Sequence, residues 1–284
     1  MRKSHRLLSV IVAALAISST GCETNPYTGR SQLLTTSLEQ EMQMGAQAYQ
    51  AQVVKDPKVV KSQNPAEVDP VRRVAKRIIE VARKSKYAEI ANQFQWEVVI
   101  IKDDHTLNAF ALPGGKIAVY TGLFPVARNE AGLAAVMGHE VVHALARHGG
   151  ERMSQAQATN ATLQLVNIAL TGTTNSAAAQ LAMAALGMGA KVGVLLPFSR
   201  KHESEADYIG MLLAAEAGYD PQESVRVWQR MEQMSSGSTS EFLSTHPSHG
   251  TRIKDLQAAM PEALTLYGQS AKVGGGTELP RVGK

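Results

Sequence analysis

His139-Glu140-Val141-Val142-His143 constrains this chain more than any other stretch. Two imidazoles four residues apart on a helix leave from one face, about one turn from each other. That spacing lets both bind a single Zn²⁺ through neutral ring nitrogens. Glu140, directly after the first histidine, can then take a proton from water beside the metal. The surroundings read as helix. Asn129 is a suitable N-cap, Glu130 follows in the first turn, and Leu133, Val136, Met137, Val141, Val142 and Leu145 recur at helical spacing. Gly149 and Gly150 are expected to stop it. A buried helix holds the two rings in register, which an exposed loop would not.

The N-terminus reads as an export signal. Arg2, Lys3 and Arg6 precede an apolar run from Leu7 to Ile17 that is short for a membrane span. Ser19-Thr20-Gly21-Cys22 resembles a lipobox, with Ser19 where leucine is usual. Cys22 is the only cysteine, so it has no partner for an internal disulfide. Lipidation at a new N-terminus gives it a purpose. Glu23 rather than aspartate then leans, by resemblance to bacterial lipoprotein sorting, towards the outer membrane. The organisation expected is a signal peptide over 1–21, a lipid-anchor linker over 22–36, a catalytic domain over 37–268 and a disordered Gly-rich tail over 269–284. The place expected is the envelope of a Gram-negative-type bacterium, facing the periplasm. Most of the formal net charge of +4 sits in the leader, and no basic block points to nucleic acid.

The remaining chain alternates helical and strand signals. Ser37 and Gln40 resemble a capping box for a helix to about Gln52. Asp69-Pro70 reads as the start of a second helix, to about Ser85. Phe94 to Lys102 is rich in Val and Ile and reads as a strand. Ala109–Leu112 and Lys116–Tyr120 read as two short strands about Pro113-Gly114-Gly115. Asp220-Pro221 opens another helix to about Met234, followed by a Ser/Gly loop over 235–240. Met153 to Ala190 holds no charged residue, but polar interruptions argue against a clean membrane span. A pair of small-residue helices beside the site, or a lid, fits that stretch. The fold class expected is α+β, mainly α, with a small sheet against the motif helix. Asn108, Ala109 and Phe110 begin a candidate sheet edge, where a peptide substrate could bind as an added strand.

His139 to His143 is the HExxH arrangement of zinc peptide hydrolases, and such a site needs a third ligand. His148 does not fit the extended pattern HExxHxxGxxH, because Ala146 and Gly149 stand where glycine and histidine are required. Ser199 to Asp207 is the better source. Glu203 and Asp207 are four apart and share a helix face, while Glu205 points largely away from it. One carboxylate can bind zinc and the other can accept the free N–H of a ligand histidine. A tetrahedral oxyanion also needs a donor; His246, His249 and Arg252 are the candidates.

Three segments together resemble metallopeptidase family 48: His139 to His143, Ser-Arg-x-x-Glu-x-Glu-Ala-Asp-x-x-Gly over 199–210, and Ser244-Thr245-His246-Pro247-Ser248. Asn108 to Gly115 and Val119 to Gly122 match its sheet segment. The resemblance spans roughly 25–260, closest to short lipoprotein members with one catalytic domain. It implies a zincin-like fold, one Zn²⁺ on His139, His143 and Glu203, Glu140 as base, Asp207 as the acid behind a ligand, and His246 near the metal. It also implies an endopeptidase for misfolded or misassembled envelope proteins. A chaperone-like factor with little proteolysis, and a structural lipoprotein with a vestigial site, are the alternatives. Whether His246 blocks the metal or serves the oxyanion stays open, as does the oligomeric state.

Overall fold

The computed structural model describes residues 22–158, 199–235, 241–246 and 250–282. Backbone contacts divide the chain into two compact units, one holding residues up to Ser37 and Gly149–Leu196, the other Leu38–His148 and Pro197–Lys284. In the first, β1 (Cys22–Thr24) and β2 (Ser31–Leu33) form an antiparallel pair. Arg30 grips Glu151 there with two hydrogen bonds of 2.7 and 2.8 Å.

The second unit carries every residue of the expected metal site. Its helices are α1 (Leu38–Tyr49), α2 (Pro65–Ala82), α3 (Ala88–Gln93), α4 (Phe124–Ala127), α5 (Glu130–Leu145), α6 (Arg200–Glu216), α7 (Gln222–Ser235), α8 (Glu241–Thr245) and α9 (Arg252–Gln269). Its sheet has the order β3 (Glu97–Ile101), β5 (Lys116–Tyr120), β4 (Ala109–Leu112). β3 runs parallel to β5 and β4 antiparallel to it. Gly114 and Gly115, at φ +88° and +86°, make the tight turn between β4 and β5, a backbone state side chains resist. Among the described residues β4 pairs on one side only, and it packs beside α5.

Helix starts match their local chemistry. The Asn129 side chain accepts from the Gly132 N–H, capping α5 as expected. α2 begins earlier than expected: Asn64 caps it, Pro65 takes the first turn, and Pro70 lies inside. The two Asx-Pro pairs are equivalent in sequence, and the structure uses the earlier one. α5 ends at Leu145, ahead of Gly149 and Gly150. Arg147 takes the left-handed turn at φ 57°, its guanidinium bound to buried Glu41 on α1 at 2.9 Å. That ion pair holds a conformation which usually falls to glycine.

The tail also departs from the expectation of disorder over 269–284. Thr277 and Gly275 carbonyls accept from the Glu130 and Ala131 N–H groups, and Leu279 N–H donates to the Arg128 carbonyl. The first N–H groups of a helix lack intrahelical acceptors, so a Gly-rich strand that can approach closely fills that need. Residues 1–21, most of the uncharged stretch 153–190, the 236–240 loop and Pro247 to His249 lie outside the described residues.

Candidate active site

α5 and α6 bring the site together because each carries a glycine where they cross. A Cβ on Gly138 would lie 2.7 Å from the Gly210 carbonyl oxygen, and one on Gly210 would lie 2.6 Å from the His139 nitrogen. Glu203, Asp207 and Gly210 share one face of α6 by helical spacing. The close crossing sets both carboxylates against the motif histidines.

Four buried side chains converge: His139, His143, Glu203 and His246, with ligand atoms all within 4.8 Å of one another. His139 Nε2 lies 3.0 Å from His143 Nε2 and 3.3 Å from His246 Nδ1. Glu203 Oε1 lies 3.3 Å from His143 Nε2 and 3.1 Å from His246 Nδ1. Donors on a tetrahedral zinc stand roughly 3.3 Å apart, from bond lengths of about 2.0–2.1 Å. The nitrogen and oxygen donors therefore fit that ion in kind and in spacing. One further atom points the same way. Glu140 Oε1 is buried without a hydrogen-bond partner among the described residues. Such an orphan is costly unless a cation or water completes it.

Behind His139 stands Asp207, with Oδ1 2.9 Å from Nδ1. Arg252, on α9, donates to Asp207 at 2.8 Å and meets Glu203 Oε2 at 2.9 Å. Its guanidinium lies over the Trp228 ring, 3.3 Å from the centroid. The sequence marks Arg252 as a candidate oxyanion donor. Its Nε and Nη2 are engaged with Asp207 and Glu203, while its Nη1 has no hydrogen-bond partner among the described residues. His246 reaches the cluster and also stands 3.5 Å from Glu140 Oε1. Phe242 stacks on its ring at 4.6 Å. His249 lies outside the described residues.

Burial sets the tone of the electrostatics. It pushes the Glu140 carboxyl up, which suits a proton acceptor. Burial also pushes Asp207 and Glu203 upward, but it is outweighed. Arg252 and His139 hold Asp207 below its usual range, and the three site histidines hold Glu203 well below. Burial pulls His143 well down, so its ring is neutral. For His139 burial is overcome by Asp207 and Glu203, which raise it to about 9.

Asn108 and Ala109 are buried, and Phe110 joins an apolar cluster with Tyr49, Val53 and Ala118. Phe110 thus faces core packing. Sequence reasoning missed Trp228 and Phe242 as walls of the site. It also passed over His148 and Glu205, which lie behind His143. His148 had been weighed only as a metal ligand; a histidine five residues beyond the motif was the available signal.

A helix bearing two histidines and a glutamate, a carboxylate from α6 and a small sheet alongside define a zincin-like metallopeptidase domain. The chain belongs to peptidase family M48, whose model matches residues 69–260. It is 37% identical over 242 residues to the mitochondrial metalloendopeptidase OMA1 of Schizosaccharomyces pombe, covering 84% of this chain and 66% of that protein. With the enzyme of the same name from Saccharomyces cerevisiae it shares 32% over 257 residues, 86% of this chain and 71% of that one. With the beta-barrel assembly-enhancing protease of Escherichia coli K12 it shares 26% over 281 residues, 94% of this chain and 54% of that one.

Proposed function

We propose that this chain is a zinc-dependent endopeptidase that cleaves misfolded or misassembled proteins of a bacterial envelope. The observation that carries the reading is the buried cluster of His139, His143, Glu203 and His246 with Glu140 at its side. When bound by His139, His143 and Glu203, zinc supplies a Lewis acid that acidifies water and polarises a peptide carbonyl. Glu140 takes the proton of the attacking water and returns it to the leaving amine. Its upward-shifted carboxyl, caused by burial, matches both halves of that shuttle. Asp207 fixes His139 with Nε2 towards the cluster, and Arg252 keeps Asp207 ionised. The edge of β4, unpaired among the described residues, holds a substrate segment through main-chain hydrogen bonds, which favours extended, unfolded polypeptide. His246 stands among the ligand atoms, 3.1 Å from Glu203 and 3.5 Å from Glu140, which supports a latent arrangement in which its ring competes with the attacking water.

The envelope assignment rests on the leader, on Cys22 as a lipid attachment point, and on the likeness to a protease named for beta-barrel assembly. Among the described residues no helix is long and apolar enough to cross a membrane; the reading places the domain at the outer membrane, facing the periplasm. The mitochondrial names of the relatives with higher identity leave the activity the same and the compartment different. A chaperone-like role would use the same β4 edge without hydrolysis. Incubating the purified full chain with an unfolded outer-membrane protein separates the two. Zinc-dependent fragments that vanish with a chelator are expected. Suppressed aggregation with intact substrate would overturn the peptidase reading.

A further inference from the structure

The two motif histidines are supported in different ways. His139 meets a carboxylate directly, whereas His143 Nδ1 lies 2.9 Å from His148 Nδ1. The other nitrogen of His148, Nε2, lies 3.2 Å from Glu205 Oε2. His148 and Glu205 are both buried, and the His148 ring stacks on His202 at 4.5 Å with 19° between planes. Arg147's left-handed turn brings the chain back after α5, so that residue 148 returns to the motif helix.

Proton accounting gives this row one consistent arrangement. His143 Nε2 faces the cluster, 3.3 Å from Glu203 Oε1, so metal binding there puts its proton on Nδ1. That N–H can only donate, so His148 Nδ1 must accept and His148 carries its proton on Nε2. The Nε2–H then donates to the Glu205 carboxylate. We propose that His148 is a positioning residue that passes the orienting effect of Glu205 to His143, as Asp207 does for His139 without an intermediary. The spacing on α6 explains the need. Asp207 lies on the face that meets His139, while Glu205, two residues earlier, is turned well round the helix. The imidazole of His148 spans that offset. Glu203, Glu205 and Asp207 would then act together, one at the metal and one behind each histidine. Partners of this kind fix the tautomer and raise the basicity of a ligand, and losing one costs about 10–100-fold in metal affinity.

The inference rests on the zinc reading above, and the test keeps the two apart. Zinc affinity is measured by competition with a chromophoric chelator on the purified full chain, as wild type, His148→Phe and His148→Gln. Phenylalanine keeps the ring and its stacking but cannot hydrogen-bond. Glutamine can accept from His143 and donate to Glu205. A loss of at least tenfold is expected in His148→Phe, with recovery to within about threefold in His148→Gln. The visible absorption of the Co²⁺-loaded protein should shift in His148→Phe and return in His148→Gln. Wild-type affinity in His148→Phe, or equal weakness in both variants, would overturn the proposal. Should His148→Phe fail to fold, Glu205→Gln takes its place, with weaker zinc binding expected and unchanged binding refuting. A wild-type chain that binds no zinc would overturn the zinc reading first.

Discussion

Gly210 lies so close to His139 that a methyl group on it would stand 2.6 Å from the histidine's backbone nitrogen. The obstacle is main chain, which cannot rotate away. Gly210→Ala should therefore push α6 from α5, destabilise the fold by about 1–3 kcal/mol and reduce zinc content. Thermal melting and metal analysis check this. A variant that melts and binds metal like wild type would mean the crossing is loose.

Asp207 couples His139 to Arg252. Asp207→Asn keeps the shape but leaves a buried guanidinium short of one charge partner, with Glu203 its remaining carboxylate. Zinc affinity should fall by about 10–100-fold, and the melting temperature of the metal-free protein should fall as well. Unchanged values for both would remove Asp207 from the site's support.

The pH dependence follows from His139. Burial lowers its pKa, but Asp207 and Glu203 raise it to about 9 from an ordinary 6.5. A histidine raised on folding gives stability that is full below the unfolded value and fades as pH climbs through the folded one. The metal-free chain should thus lose stability between about pH 6.5 and 9. Zinc must displace the same proton, so its apparent affinity should climb across that window and level above it. Competition titrations at half-unit steps check the sign; affinity that is flat or falling there would contradict it.

His246 stands against Glu203 at 3.1 Å and Glu140 at 3.5 Å. On the proposed latent arrangement, removing that ring should raise turnover of an unfolded protein, so His246→Ala should be several-fold more active at equal zinc content. Lower turnover would assign the ring to the oxyanion instead.

What was legible in the sequence is local. The Asn129 cap, the two hairpin strands and the i, i+4 histidines follow from spacing and turn chemistry. The acidic pattern from Glu203 to Asp207 carried the carboxylate of the cluster and the one behind His139. What was hidden depends on contacts distant in the chain. Arg147 ends α5 because Glu41, about a hundred residues earlier, pairs with it. Tail carbonyls cap α5, which no local pattern announces. His148 looked like a failed ligand because its partner Glu205 comes from another helix.

Glu140→Gln tests the central claim most directly. Glutamine matches glutamate in size but cannot take up and deliver the proton. The variant is measured beside wild type for bound zinc and for cleavage of an unfolded protein substrate. The expected result is a folded protein with about one zinc per chain and cleavage lost by at least 10²-fold. Cleavage near the wild-type rate in the zinc-loaded variant would contradict the account.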